Sequence, residues 1–250
     1  MKSIQAFLDK IRRKAGERGY TCDGCNEEVF SYPSQRLCKE CEAKLIYNAR
    51  HTCDKCGRAT KTAGVCLDCK SLLPHFTKGA SAFVYQGYVC SLVNRLKNGD
   101  RYLSHFFGER LAERYLQVFQ DAYLEKPLLI GVPLSQEKRE ERGYNQAEEI
   151  LKAFALSLQT QGVQTEYVED VLQKPKQTPP QKTLTRVERI KNLQGAFHVH
   201  KRTVCVGRII VLIDDITTTG ATGSECAKAL LSAGAKEVRF LTCAALSERG

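Results

Sequence analysis

Along this chain the apolar positions change period, and the changes mark out its elements. Five aliphatic residues run unbroken from Ile209 to Ile213 and end on two acids, Asp214 and Asp215. A short continuous apolar run bounded by turn chemistry predicts a strand buried on both faces, as in a parallel sheet. The loop from Thr217 to Thr222 follows, and SECAKALLSAG, ending at Gly234, suits the helix it feeds. Residues 128–134, LLIGVPL, predict a second buried strand, followed by a polar loop, SQEKREERGYNQ, and an apolar helix, AEEILKAFALSL. VRFLTCAAL predicts a last short strand. Upstream, a strand or hairpin is expected near Phe83–Tyr85. A helix should then turn Leu92, Val93 and Leu96 inward and end near Asn98-Gly99. A second helix, roughly 103–123, would carry Phe107, Leu111, Tyr115, Phe119 and Tyr123. Residues 1–19 predict a short basic helix with Ile4, Phe7, Leu8 and Ile11 on one face. Strand–helix alternation from about residue 128 onward predicts an α/β fold with a mostly parallel sheet and flanking helices.

Cysteine spacing adds a second unit. Residues 20–70 hold eight cysteines in four CxxC pairs: Cys22/Cys25, Cys38/Cys41, Cys53/Cys56 and Cys66/Cys69. Each pair can form a knuckle that puts two thiolates on one ion, and two knuckles complete a tetrahedral four-cysteine site. Sequential pairing is simplest; crossing the first pair with the third and the second with the fourth also satisfies the spacing. The segment is too short and polar to build much core, so metal must supply its folding energy. Closed four-cysteine sites leave no open coordination position, so both zincs are expected to be structural. This gives a small Cys-rich double zinc ribbon over residues 20–75, with a boundary near 71–76, and an α/β domain over 76–250. Cys90, Cys205, Cys226 and Cys243 have no partner at knuckle spacing, and the last two lie in apolar surroundings, as small buried hydrophobes do.

The acids and the Thr/Gly loop should sit at the carboxyl end of a strand, where open α/β sheets bind ligands. Such a loop can present backbone N–H groups, hydroxyls and a helix N-terminus to a phosphate. Two carboxylates can accept hydrogen bonds from vicinal hydroxyls. A phosphate and a diol a few ångströms apart describe a ribose 5-phosphate. A strand whose acids merely cap a helix needs one acid and no threonines. A Walker B strand requires a GxxxxGK(S/T) loop, and the chain has no Gly-Lys dipeptide. It has no GxGxxG fingerprint for a dinucleotide either.

Composition narrows the partners. Of 250 residues, 42% are hydrophobic and 26% charged, which suits a folded, soluble chain. The formal net charge of +10 leans toward phosphate-bearing partners. No stretch approaches a membrane span, and the N-terminus lacks the apolar core of a signal peptide, so the expected location is the cytosol. Between residues 174 and 202, eight basic residues face one acid, Glu188. Its proline pair and its Gln/Thr richness predict a basic loop or flap suited to pyrophosphate or a nucleic-acid backbone. Lys138, Arg139 and Arg142 offer further cations, interleaved with Glu137, Glu140 and Glu141. Tyr20, Tyr32 and Tyr47 are candidate stacking residues for single strands, with packing inside the ribbons as the alternative.

The stretch from Ile209 to Thr222 closely resembles the phosphoribosyl pyrophosphate (PRPP) motif of type I phosphoribosyltransferases. With the CxxC knuckles, LKNGD, VPL, RGYNQ and QTPPQ, the chain resembles the ComF family of late competence proteins from about residue 20 to its end. Departures are small: Tyr144 stands where the family often has Phe, Gly131 where it often has Pro, and Lys174 and Lys176 where it often has arginines. The resemblance implies a zinc-ribbon module fused to a type I phosphoribosyltransferase-like domain. It places Lys97, Arg142, Asn145 and Gln146 toward pyrophosphate. It places Gln181, Arg186, Arg189 and Asn192 in the flap, and Asp214, Asp215, Thr217, Thr218, Thr219, Gly220, Ala221 and Thr222 at the ribose phosphate. It further implies Mg2+ with PRPP, and work with a ComFA-type helicase-like ATPase in bringing single-stranded DNA into the cytosol, with a station at the inner face of the membrane beside the uptake machinery as a variant location. The alternative is an active, amidophosphoribosyltransferase-like enzyme using Mg-PRPP with an unknown acceptor, in which Asp214 and Asp215 are catalytic.

Overall fold

The computed structural model describes residues 20–48, 51–174 and 192–248. The basic helix expected over residues 1–19 and residues 175–191 of the expected flap lie outside them. Two small helices, α1 (Lys39–Ala43) and α2 (Leu67–Leu72), belong to the cysteine-rich segment. Then follow β1 (Lys78–Val84), α3 (Tyr88–Lys97), α4 (Leu103–Val118), β2 (Leu128–Gly131), α5 (Gln136–Arg142) and α6 (Gln146–Thr160). The chain continues through β3 (Glu166–Tyr167), β4 (Leu172–Gln173), β5 (His198–Val199), β6 (Ile209–Thr217), α7 (Ala221–Ser232) and β7 (Glu237–Ala245). Five strands form one parallel sheet in the order β1-β7-β6-β2-β3; β4 and β5 pair antiparallel beside it.

The unbroken apolar strands follow from burial on both faces. Side chains alternate across a strand, so neighbouring residues enter different cores. Val211, Ile213 and Leu241 join a core with Phe83, Leu92, Leu96, Phe106, Phe107 and Phe154 from α3, α4, α6 and β1. Ile210, Leu212 and Phe240 join another with Phe76 and the apolar face of α7, including Cys226 and Leu230. The aromatic stack of the first core is close, with Phe83 and Phe106 rings 5.7 Å apart and Phe106 and Phe107 rings edge-on at 5.2 Å. Cys226 and Cys243 are fully buried, as expected of small apolar residues.

The ribbons complete these cores. The first ribbon contributes Cys22, Val29, Leu37, Cys41 and Leu45 to the α3–α4–α6 face. The second contributes Cys53, Cys56, Cys66 and Cys69 to the α7 face. Around the boundary expected near 71–76, Phe76 is fully buried, its ring 5.2 Å from that of Phe240. Ribbon backbone also lies along the outer edge of β1: Gly79 N–H donates to Lys55 O at 2.7 Å, Val84 N–H to Ile46 O at 2.8 Å, and Asn48 N–H to Ala82 O at 3.0 Å.

Two expectations are corrected. The polar stretch after β2 is a helix, α5, rather than a loop. Its side chains are all at least partly exposed, so no apolar period betrays it. Its ends carry helix chemistry: Glu137 in the first turn, Arg139 and Arg142 in the last, and Gly143 at φ 75°, a left-handed stop. Helix α4 ends at Val118, not near 123, because Phe119 turns extended. There Arg239 lies 4.8 Å over the Phe119 ring and pairs with Asp121, leaving Tyr123 exposed. Of the strand or hairpin expected near Phe83, the structure has the strand, seven residues long and parallel to β7.

Helices α4 and α6 meet backbone to backbone at Gly108, where an added Cβ would lie 2.6 Å from the Ala153 Cβ and 2.7 Å from Phe154 N. Overpacking of this kind costs about 1–3 kcal/mol. Gly108→Val should therefore lower stability by at least that amount in urea unfolding; an unchanged midpoint would show that the two helices do not meet this closely.

Candidate functional site

The parallel sheet changes direction between β2 and β6. From β2 the chain passes through α6 to β3 on one side; from β6 it passes through α7 to β7 on the other. The loops beyond these strands therefore diverge and leave a crevice at their carboxyl ends, the usual ligand position in an open α/β sheet. A cleft of about 480 Å³ lies there. It is lined by Val132–Ser135 after β2, by Asp214–Thr222 at the end of β6 and in the loop beyond it, and by Lys97, Arg142 and Gln146.

Asp214 and Asp215 stand at the mouth of β6 with their side chains on opposite faces. Asp214 Oδ1 accepts from the Asp215 N–H at 2.9 Å, and Asp215 Oδ1 accepts from the Ile216 N–H at 2.7 Å. The second oxygen of Asp215 lies 3.0 Å from Lys97 Nζ, at the end of α3. Burial, and then the neighbouring Asp215 carboxylate, push the Asp214 pKa well above the ordinary carboxylate range. Past Thr217 the chain turns through Gly220, at φ 81°, into the N-terminus of α7. The Thr219 hydroxyl accepts from Ala221 N at 3.3 Å. The N–H groups of Thr219 and Gly220 donate to no protein group among the described residues. The loop thus offers donors at a helix N-terminus, the arrangement that receives a phosphate.

The second loop is fixed from below. Asn145 is 2% exposed; its carbonyl oxygen caps α6 by accepting from Ala147 N, and its amide donates to Val132 O, each at 3.1 Å. It holds the loop and does not line the cleft, whereas Gln146 does and accepts from Arg142 Nη1 at 2.7 Å. Tyr144 donates to Leu96 O and accepts from Gly99 N, tying RGYNQ to the LKNGD stretch that carries Lys97. Asn192 is described but does not line the cleft; Gln181, Arg186 and Arg189 fall outside the described residues.

Some lining residues carried a weaker signal in the sequence or none. Lys138 and Lys174 line the cleft, and burial followed by the nearby Lys138 charge lowers the Lys174 pKa. Its ammonium sits 5.7 Å over the Phe197 ring, which also lines the cleft and which no motif marks. Glu137 and Glu141 add acids at the same rim.

The cysteines resolve into two sequential sites, Cys22/Cys25/Cys38/Cys41 and Cys53/Cys56/Cys66/Cys69, each with its four sulfurs within 4.8 Å of one another. Zinc–sulfur bonds of about 2.3 Å in a tetrahedron require sulfur–sulfur distances near 3.8 Å. Cys25 and Cys38 stand 3.7 Å apart, and Cys56 and Cys66 3.8 Å apart. Backbone N–H groups point at the sulfurs as thiolates require: Gly24 and Cys38 to Cys22, and Lys55, Cys56 and Cys66 to Cys53. Both clusters could hold a zinc ion. Among the described residues, no helix is long and apolar enough to cross a membrane.

A parallel α/β sheet with an acid-and-threonine loop at its switch point, preceded by two four-cysteine ribbons, defines an α/β ligand-cleft domain joined to a cysteine-rich module. The chain is 29% identical to competence protein ComFC of Bacillus subtilis, over 81% of this chain and 80% of that protein. It is 26% identical to competence protein F of Haemophilus influenzae, covering 87% of each, and 26% identical to DNA utilization protein YhgH of Escherichia coli, over 81% of this chain and 94% of that one. The relatives named here are competence and DNA utilization proteins, and each match spans most of both chains. No family model matches the chain. Among solved structures it is similar to a glutamine PRPP amidotransferase from B. subtilis complexed with ADP and GMP, at 19% identity and a TM-score of 0.36, over 58% of this chain and 27% of that one. It is also similar to a hypoxanthine phosphoribosyltransferase from Staphylococcus aureus, at 12% identity and a TM-score of 0.33, over 55% and 62%.

The raised Asp214 pKa has a consequence for stability. The folded state holds this proton more tightly than the unfolded chain, whose Asp pKa is about 3.9. From there up to the raised folded value, stability falls as pH rises. In the ligand-free protein, Asp214→Asn should remove that part of the pH dependence and stabilise the fold at pH 7, in urea unfolding at pH 5 and 7. A variant less stable than wild type at pH 7 would contradict the raised pKa assigned to Asp214. Metal analysis should find two zinc ions per chain.

Proposed function

We propose that this protein serves single-stranded DNA uptake in competence, and that its α/β cleft binds PRPP or a related ribose phosphate with Mg2+. The observation that carries the cleft reading is the convergence of Asp214, Asp215, Lys97, Arg142 and the Thr217–Thr222 loop on one crevice. The loop and the α7 N-terminus receive the 5-phosphate. The two carboxylates accept from the ribose hydroxyls. Lys97 and Arg142, with Lys138 and Lys174 nearby, face the pyrophosphate. Asp214 and Asp215 are the cleft acids that would face Mg2+ brought in with PRPP, which would supply neutralisation of the pyrophosphate charge. Displacing Lys97 from Asp215 toward the pyrophosphate frees that carboxylate for the ribose. Two structural zincs in the ribbons complete the cofactor set.

Support for the DNA role comes from the similarity to competence and DNA utilization proteins and from the +10 charge. Of the three candidate stacking tyrosines, Tyr20 is 68% exposed. Tyr32 lies under Arg36 at 5.4 Å and packs on the core, and Tyr47 packs on Phe83 and donates to Glu42. Tyr20 is thus the one free to stack on a base. A ComFA-type ATPase is the expected partner, working with the protein in the cytosol at the inner face of the membrane.

The second reading is phosphoribosyl transfer to an acceptor. The acid pair at the cleft favours it, since carboxylates beside C1 would stabilise positive charge as pyrophosphate leaves. Its requirement is an acceptor, whose identity turnover assays with amines and nucleobases would address.

Calorimetric titration with PRPP and Mg2+ tests the cleft. Wild type should bind, and the double variant Asp214→Asn, Asp215→Asn should lose binding by at least tenfold while keeping its fold and both zincs. Absence of binding by wild type would remove the cleft reading. For DNA, affinity for a single-stranded oligonucleotide should fall steeply between about 50 and 200 mM salt, since each neutralised phosphate contributes about 0.7 to the logarithmic slope. A flat response would count against a phosphate-tracking surface.

A further inference from the structure

The second four-cysteine site and the phosphate loop share one buried cation. Arg58 lies between Cys56 and Cys66 in sequence and is 2% exposed. Its Nε donates to Cys56 Sγ at 3.3 Å, its Nη1 to Asp68 Oδ2, and its Nη2 to Thr218 O at 2.6 Å. One guanidinium thus touches a cysteine of the metal cluster, an acid on the helix that carries Cys69, and the backbone of the loop that lines the cleft. More contacts run in parallel. Leu72 of α2 lies beside Gly220, 3.8 Å from where a Cβ would stand, and His75 N donates to Ser224 Oγ in the first turn of α7 at 3.1 Å. The described contacts of the first four-cysteine site run elsewhere, to α3: Tyr88 donates to Cys41 Sγ and Arg95 to Gly24 O and Asp23 O, on the helix whose last residue, Lys97, meets the acid side of the cleft.

The contact at Thr218 sets the direction of a peptide. In a trans peptide the C=O and the following N–H point opposite ways. With Thr218 O held by Arg58, the Thr219 N–H is turned away from the ribbon, to the side where the cleft lies. Turned over, the same peptide would present a carbonyl to an anion and repel it. The guanidinium is held in turn by the sulfur cluster. Four thiolates around a divalent ion carry a net charge of about −2, which a buried cation at 3.3 Å offsets. Asp68 keeps the fork in plane by a charge-assisted hydrogen bond.

We propose that Arg58 is a positioning residue that couples the second metal site, Cys53/Cys56/Cys66/Cys69, to anion binding at the Thr217–Thr222 loop, so that occupancy of each favours occupancy of the other. This rests on the reading of the cleft as a PRPP site. Coupling between sites is reciprocal: if metal strengthens ligand binding, ligand must retain metal by the same factor. Because the described contacts of the first site run to α3 and not to the Thr217–Thr222 loop, it serves as the internal comparison.

The test uses full-length, zinc-loaded protein exposed to a zinc-selective chelator that leaves Mg2+ in place. Iodoacetamide traps each cysteine as it is released, and peptide mass spectrometry locates the label. Mg-PRPP should slow labelling at Cys53, Cys56, Cys66 and Cys69 about tenfold, within the range usual for coupled sites, and leave Cys22, Cys25, Cys38 and Cys41 unchanged. Arg58→Met should abolish that protection and weaken PRPP binding by a similar factor while Asp214 and Asp215 stay intact; Arg58→Lys, which keeps the charge without the fork, should recover only part. If calorimetry shows that wild type binds PRPP and yet both sites are protected equally, or neither is, the coupling is wrong and the cleft reading stands. If wild type does not bind PRPP, both fall. Should Arg58→Met fail to fold, the site-resolved labelling of wild type decides alone.

Discussion

The constraint on which the molecule rests is that its central strands are covered on both faces. β6 and β7 expose almost nothing, and each successive residue must find its own layer of neighbours. On one face these come from α3, α4 and α6, and on the other from α7, but neither layer is closed by helices alone. The first ribbon finishes one core and the second finishes the other. A segment of this size and polarity could not order itself by apolar burial. Its two four-cysteine clusters could draw that folding energy from bound metal, and the ordered ribbon supplies walls to the sheet.

Above that foundation the site is an assembly of strand ends. The sheet's change of direction opens the crevice, and side chains deep in the structure aim the loops around it. Asn145 and Tyr144 show the division of labour. Both belong to a motif whose resemblance points to ligand binding, yet both are committed to backbone groups of the loop and of α3. The residues facing the cleft are their neighbours, Arg142 and Gln146. The acid pair illustrates the opposing demand: setting Asp214 beside the buried Asp215 disfavours charging both, and Lys97 offsets part of that cost.

How much of this was legible in the sequence depends on the physics that placed each residue. Two-sided burial writes itself as a contiguous apolar run, so Ile209–Ile213 and its acids could be placed at a strand end without a structure. Knuckle spacing announced two tetrahedral sites, but only the folded chain chose sequential over crossed pairing. Helix α5 was hidden because none of its side chains is buried, although Gly143 and the charges at its ends were there to be weighed. The end of α4 was not legible at all: it is set by Arg239, more than a hundred residues away, through Asp121 and Phe119. Arg58 is one of 38 lysines and arginines. Nothing in its local pattern separates it from a solvated charge, because its partners come together only in the fold.

The ribbon backbone laid along β1 has a consequence of another kind. A parallel sheet's outermost strand presents a row of unpaired peptide groups, a template onto which another chain can add. Here Lys55, Ile46 and Asn48 occupy that row, so the strand has a neighbour on both sides. The ribbon therefore acts as a guard against self-association at that edge. A chain whose ribbons came apart would bare a hydrophobic strand edge as well as two core walls, and its first symptom would be turbidity rather than a weakened site.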